Sequence, residues 1–84
     1  MEDSYVKRVG MELKVLRVRS RMLARDVAKA AGIHPMSLSK IERGVQKDIG
    51  VETLTRIAAV YGLKASDVIS AIEPKPAATD EGEP

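Results

Sequence analysis

The stretch ARDVAKAAGIHPMSLSKIERG, residues 24–44, decides the fold, because it predicts two short helices joined by a glycine turn. Its first half repeats small apolar residues at i, i+3, i+4 and i+7, the spacing of an amphipathic helix face. These residues are Ala24, Val27, Ala28 and Ala31. Gly32 tolerates the positive φ that ends a helix, and Ile33 can fold back over the last turn. The small side chains allow another helix to approach closely.

The second helix of this stretch has a narrow inner face and a free outer one. Pro35 suits a first helical position, which makes His34 the capping residue. At about 100° per residue, Leu38 and Ile41 share the inner face. The opposite side carries Met36, Ser39, Lys40 and Arg43, with Ser37 on the flank. Because the outer face is not needed for folding, we predict a helix–turn–helix that presents this face to the major groove of DNA.

Length and composition restrict the class of protein. The chain has 84 residues, which suit one small domain, and no cysteine. Disulfides and thiol-rich metal sites are therefore excluded, and a reducing cytoplasm is the simplest location. No apolar run approaches the roughly 20 residues of a membrane span, and the start MEDSYVKR is acidic and polar, unlike a signal peptide. We expect a soluble cytoplasmic protein with no membrane partner.

The net charge of +2 hides an asymmetry along the chain. Residues 73–84 carry four acidic side chains and one lysine, which leaves residues 1–72 at +5. A block of six basic residues opposed by one aspartate lies at residues 14–29. Its members are Lys14, Arg17, Arg19, Arg21, Arg25 and Lys29. Such a block is typical either of a solvated surface or of an anion-binding one.

The residues before the central stretch predict one long helix with two apolar stripes. Ser4 can cap a helix that runs to about Ser20. Its core-facing stripe consists of Val6, Val9, Leu13 and Leu16. A second stripe, Met11, Val15 and Val18, lies on nearly the opposite side. Two interpretations of the second stripe remain open: ordinary scattered surface residues, or a face covered by a second subunit or a partner protein.

The residues after the central stretch predict two more helices and a tail. GVQKDIG is a loop between Gly44 and Gly50. A fourth helix, with its core face at Val51, Leu54, Ile57, Ala58 and Tyr61, ends at Gly62. A short fifth helix places Ala65, Val68, Ile69 and Ile72 on one face. Residues 73–84 have nothing to bury and are expected to be disordered. The fold class is therefore all-α, with one five-helix domain over residues 1–72.

The run VAKAAGIHPMSLSKIERG resembles the helix–turn–helix core of the lambda-repressor-like, Cro/C1-type (XRE) DNA-binding family. The resemblance extends through VGMELKVLRVRS before it and VETLTRIAAVYGLKASDVI after it. The resemblance implies a transcriptional regulator that binds double-stranded DNA as a homodimer, and we expect it to be a repressor. The half-sites of its pseudo-palindromic operator would lie about 34 Å apart. The fifth helix would form the dimer interface, with the second stripe of the first helix as a further candidate part of it, and Ile69 and Ile72 would be exposed on a single subunit.

The resemblance also assigns base-reading residues. In the family, the first turn and the middle of the third helix read bases. Here those positions are Pro35, Met36, Ser37, Ser39 and Lys40. Lys40 is suited to the acceptors of guanine, and Met36 or Pro35 to a thymine methyl group. Two simpler roles stay open: Met36 as a filler of a gap in the core, and Ser37 as a helix cap through its hydroxyl.

Phosphate contacts follow from the same resemblance. The family pairs an arginine of the first helix with a glutamate near the end of the third, here Arg17 and Glu42, and leaves part of the guanidinium for a phosphate. Where the family has a polar cap and a glutamine, this chain has Leu23 and Ala24. Backbone donors at Ala24, and the side chain of Arg25, are the substitutes. Beyond the third helix the candidates are Arg43, Lys47 and the amides of Val45 and Gln46.

The remaining residues argue against catalysis and metal binding. One histidine without a cysteine or a cluster of carboxylates makes a poor metal site. No serine or acid has the partners required for nucleophilic or acid–base chemistry, so we expect a non-enzyme without cofactors. One alternative function belongs to a different class: a module that holds a second protein, such as a toxin or a polymerase subunit. The second stripe, together with the missing cap and glutamine, favours that alternative.

Overall fold

The first helix, α1, comprises Tyr5–Arg19 in the computed structural model, which describes residues 4–73. It begins where the Ser4 hydroxyl accepts a hydrogen bond from the Lys7 amide, at 3.2 Å. This is the cap that the sequence predicts. The next connection is tight, and Arg21 adopts a φ of 58°, in the left-handed region. The chain therefore turns back within four residues to start the second helix.

The central stretch folds into α2, Ala24–Ala31, and α3, Pro35–Arg43, as predicted. Gly32 ends α2 with a φ of 74°, and the Ile33 amide donates to the carbonyl of Ala28 at 2.9 Å. His34 caps α3, because its Nδ1 atom accepts a hydrogen bond from the Met36 amide at 3.0 Å. These contacts fix the conformation of the short turn between α2 and α3, residues 32–34.

Two further helices complete the described part of the chain: α4, Val51–Val60, and α5, Ala65–Ile72. The all-α fold class with five helices is thereby confirmed for residues 4–73. The tail for which disorder is predicted, residues 73–84, lies outside the described residues except for Glu73. None of the five helices has the length and apolar character that crossing a bilayer requires.

The core lies where α1 contacts α3 and α5, and where α2 contacts α3 and α4. Its buried apolar residues are Val9, Leu13, Val27, Ala28, Ala31, Leu38, Ile41, Leu54, Ile57, Ala58, Val68 and Ile72. At one point α1 and α3 touch through their backbones. A Cβ atom on Gly10 would overlap the carbonyl oxygen of Ile41. Glycine at position 10 therefore sets the distance between the two helices.

Two predicted exposures are wrong. Ile72 was expected on the surface of a single subunit, but its exposed fraction is 8%. The reason is the contact between α1 and α5, where the Arg8 guanidinium donates to the carbonyl of Ile72 and the last turn of α5 closes the core. Ile69 is only partly exposed. Val51, expected in the core, is 78% exposed, because side chains tilt toward the helix start and this first residue of α4 projects past it.

Candidate nucleic-acid interface

The outer face of α3 carries the predicted base-reading residues. Pro35, Met36 and Lys40 are exposed, and Ser37 and Ser39 are partly buried. Leu38 and Ile41 on the inner face are inaccessible to solvent. Met36 is 56% exposed and thus does not fill a gap in the core. The helix cap is made by His34, so the hydroxyl of Ser37 does not have that role.

The start of α2 offers backbone donors and no side-chain cap. Leu23 occupies the capping position and accepts two hydrogen bonds at its carbonyl, from the amides of Asp26 and Val27. The amides of Ala24 and Arg25 come earlier in the chain, where no preceding helical turn supplies a carbonyl acceptor. Such amides can donate to an anion placed beyond the helix end. The Arg25 side chain is exposed beside them and lies 3.7 Å from Asp26.

The residues after α3 supply fewer backbone donors than the sequence suggests. Gly44 ends α3 with a φ of 71°, and the Val45 amide donates to the carbonyl of Lys40 at 3.2 Å. This bond belongs to the end of the helix, so Val45 is removed from the candidate phosphate donors. The Lys47 side chain is exposed, and Gln46 is partly buried. Arg43 is exposed, with its Nε atom 3.4 Å from the Ser39 carbonyl.

The predicted ion pair between α1 and α3 is present. Arg17 donates from Nε and Nη2 to the two carboxylate oxygens of Glu42, at 2.8 and 3.0 Å, and from Nη1 to the carbonyl of Met22, at 3.1 Å. The side chains are 17% and 6% exposed. Hydrogen bonding to Glu42 raises the pKa of Arg17 above its ordinary value. The pair connects α3 to α1 and to the turn before α2, which orients the helix–turn–helix.

Tyr61 is a neighbour of this pair that the sequence does not reveal. Periodicity places Tyr61 toward the core, but gives no information about its hydroxyl. That hydroxyl is buried and has no hydrogen-bond partner among the described residues. Burial raises the pKa of Tyr61 to about 12, to which the charge of Glu42 adds, while Arg17 acts in the opposite direction.

Two contacts between α1 and the end of α5 also have no local sequence signal. The Tyr5 hydroxyl donates to the Glu73 carboxylate at 2.6 Å, and Arg8 binds the Ile72 carbonyl. Both join residues more than sixty positions apart in sequence.

Among residues 4–73, no group of three histidine or acidic side chains is placed to hold a metal ion.

The arrangement defines a class of protein. Two short helices meet at a glycine turn, the second exposes its outer face, and free amides with basic side chains flank it, as in a DNA-binding helix–turn–helix. The helix–turn–helix family model HTH_3 matches residues 13–68. The chain therefore belongs to the Cro/C1-type helix–turn–helix family of DNA-binding transcription regulators. No curated protein sequence is significantly similar to it.

Solved structures show the same fold. One structure of the clp gene regulator ClgR from Corynebacterium glutamicum is 27% identical and superposes with a TM-score of 0.77, over 83% of this chain and 73% of that one. A second ClgR structure is 23% identical, with a TM-score of 0.76 over 88% and 100% of the two chains. SinR, a master regulator for biofilm formation solved in complex with DNA, is 24% identical, with a TM-score of 0.68 over 73% and 97%.

Proposed function

We propose that this protein is a repressor that binds a pseudo-palindromic operator as a homodimer, with two copies of α3 in successive major grooves. The observation that carries the proposal is the outer face of α3, where Met36 and Lys40 are exposed while Leu38 and Ile41 are fully buried. An exposed helix face bearing a lysine and an apolar side chain suits the acceptors of guanine and the methyl group of thymine. The half-sites would be about 34 Å apart.

The phosphate contacts would flank α3 on both sides. The amides of Ala24 and Arg25, with the Arg25 side chain, face one strand, and Arg43, Lys47 and the Gln46 amide face the other. Arg17 already uses three of its N–H groups on Glu42 and Met22, so its role is chiefly to orient α3. These groups would set affinity and its dependence on salt, because phosphate contacts carry no base sequence.

The proposed dimer interface requires a revised set of residues. The burial of Ile72 removes its side chain from the interface. Ile69 remains partly exposed on α5, and the apolar stripe Met11, Val15 and Val18 is exposed on α1. We propose the solvent side of α5 around Ile69 as the surface that a second copy covers, which leaves the stripe on α1 free. Sedimentation at micromolar concentration should show a dimer, with or without operator DNA, and a monomer under both conditions would exclude it.

A pair of lysine substitutions tests the base-reading assignment. Lys40→Ala should cost about 1–3 kcal/mol on a cognate site and should reduce the discrimination between operators, because Lys40 lies on the outer face of α3. Lys47→Ala is the matched control, which should weaken cognate and scrambled DNA alike. Equal losses on both DNAs for Lys40→Ala would show that Lys40 does not read bases.

A protein-binding module is the second candidate, because the apolar stripe on α1 is exposed to solvent. Met11, Val15 and Val18 are 68%, 38% and 58% exposed. Contiguous exposed apolar residues commonly mark a surface for another protein. Selection from a random pool of DNA duplexes, repeated over a series of salt concentrations, separates the two functions. An enriched operator sequence supports the regulator, whereas binding without any enriched sequence favours the protein-binding module. Under either proposal, the protein acts in the cytoplasm and is not an enzyme.

A further inference from the structure

A basic cleft lies between the first half of α1 and the end of α3. Its volume is about 360 Å³. Four of its lining residues are cationic, and one is a carboxylate. The residues are Lys7, Arg8, Met11, Lys14, Glu42 and Arg43. The resemblance to the family gives no role to three of these residues, Lys7, Arg8 and Lys14. A cleft with so many cations has the charge required to hold an anion.

The single carboxylate does not neutralise the cleft. Glu42 is bound through both oxygens to Arg17, at 2.8 and 3.0 Å, and is only 6% exposed. Its charge is therefore balanced by an arginine outside the cleft. Arg8 is held by the carbonyl of Ile72, at the end of α5. The exposed cations of the cleft are thus Lys7, Lys14 and Arg43, three positive charges on two adjacent helices.

The cleft is continuous with the outer face of α3. Arg43 belongs to both, since it lies on that outer face and lines the cleft. Lys7 packs directly against Gly44: a Cβ atom on this glycine would lie 2.8 Å from the Cγ atom of Lys7. Gly44 is the residue from which the chain enters the loop with Lys47. The cleft therefore lies beside the loop that carries the proposed phosphate contact of Lys47.

We propose that the cleft binds a backbone phosphate of the DNA that flanks the operator, through Lys7, Lys14 and Arg43. The proposal rests on the proposed function and extends it, because it adds a phosphate site on α1 to those at the start of α2 and after α3. Such a site adds affinity and salt dependence without adding base preference. It also compensates for the side-chain contact that Leu23 and Ala24 do not provide.

Charge-neutralising variants test the site. Lys7→Gln and Lys14→Gln retain most of the side-chain stem and remove the charge, and Lys64→Gln removes the same charge from an exposed position next to α5. Each subunit of the dimer contacts one phosphate through its cleft, so the plot of log affinity against log salt should lose about 1.8 of its slope when both cleft lysines are replaced, and part of that for each single variant. Between about 50 and about 200 mM salt the double variant should lose about tenfold less affinity than the wild type. Circular dichroism melting confirms that each variant folds.

The outcomes distinguish this inference from the proposed function. Reduced slopes for Lys7→Gln and Lys14→Gln but not for Lys64→Gln, on cognate and scrambled DNA alike, support the site. Ethylation interference should then show one outer phosphate in each half-site that matters to the wild type and not to the double variant. Equal slopes for all three single variants overturn the inference while wild-type DNA binding stands. Inorganic pyrophosphate that raises the melting temperature of the wild type alone, with unchanged DNA slopes, overturns it in favour of a small-anion site. A wild type that binds no DNA refutes the proposed function itself.

Discussion

The ion pair between Arg17 and Glu42 should show a large coupling energy in a double-mutant cycle. The three variants are Arg17→Met, Glu42→Gln and the combination of the two. The side chains are 17% and 6% exposed, so the pair is close to the buried limit. At that limit, removing one partner costs about 3–5 kcal/mol, because an uncompensated charge stays buried. An exposed pair would cost less than about 1 kcal/mol.

The two single variants should differ in a defined order. Without Glu42, the Arg17 guanidinium keeps its hydrogen bond to the Met22 carbonyl, at 3.1 Å, and some contact with solvent. Without Arg17, the less exposed carboxylate loses two hydrogen bonds at once. We therefore expect Glu42→Gln to cost about 2–3 kcal/mol and Arg17→Met about 3–4 kcal/mol. The double variant should cost clearly less than their sum, because no charge remains buried.

Urea unfolding followed by far-UV circular dichroism measures all four proteins of the cycle. The two single costs sum to about 5–7 kcal/mol, so a double variant that costs about 3–4 kcal/mol corresponds to a coupling energy of about 2–3 kcal/mol. Unchanged m-values would show that the variants unfold over a similar surface. A coupling energy below about 0.5 kcal/mol would refute the reasoning, because it would mean that solvent already screens the pair.

Three further predictions concern single side chains. Gly10→Ala should destabilise by about 2 kcal/mol or more, because its methyl group would overlap the Ile41 carbonyl, while Gly50→Ala, which meets open space, should cost less than about 1 kcal/mol in the same urea assay. Arg21→Gly should stabilise by up to about 1 kcal/mol, since glycine adopts a φ of 58° without strain, and a lower melting temperature would contradict this. Tyr61→Phe should be neutral or stabilising at neutral pH, because it removes a buried hydroxyl that has no partner in the described part of the chain. The raised pKa means that the folded state retains the phenol proton longer than the unfolded state, so the wild type should lose stability relative to Tyr61→Phe as the pH rises from 10.0 to about 12. Parallel pH profiles of the two proteins would contradict that assignment.

Local signals predicted the helices because each boundary depends on a few adjacent residues. Ser4 and His34 cap their helices through contacts with residues two or three positions away. Gly32 ends α2 with a positive φ, which the local turn alone requires. The outer face of α3 is also a local feature. At about 100° per residue, Lys40 lies on the opposite side of the helix from Leu38, which is two positions before it. These features needed no knowledge of distant contacts.

Distant contacts account for what could not be predicted. Periodicity places Ile72 on an apolar face of α5, but only the approach of α1, with Arg8 at its carbonyl, determines that this face is covered within one subunit. The burial of the Tyr61 hydroxyl without a partner among residues 4–73, close enough to Glu42 and Arg17 to feel their charges, follows from no local pattern. The cleft beside α3 likewise combines residues from two helices far apart in sequence.

The backbone contact at Gly10 has a consequence for the evolution of specificity. Because α1 meets α3 at a main-chain carbonyl, the position of α3 depends little on the side chains of its outer face. Leu38 and Ile41 complete that anchorage from within the core. The exposed positions of α3, such as Met36 and Lys40, can therefore be exchanged without moving the helix. A lineage carrying this scaffold can acquire a new operator through substitutions at a few surface positions, while its folding stability stays nearly constant.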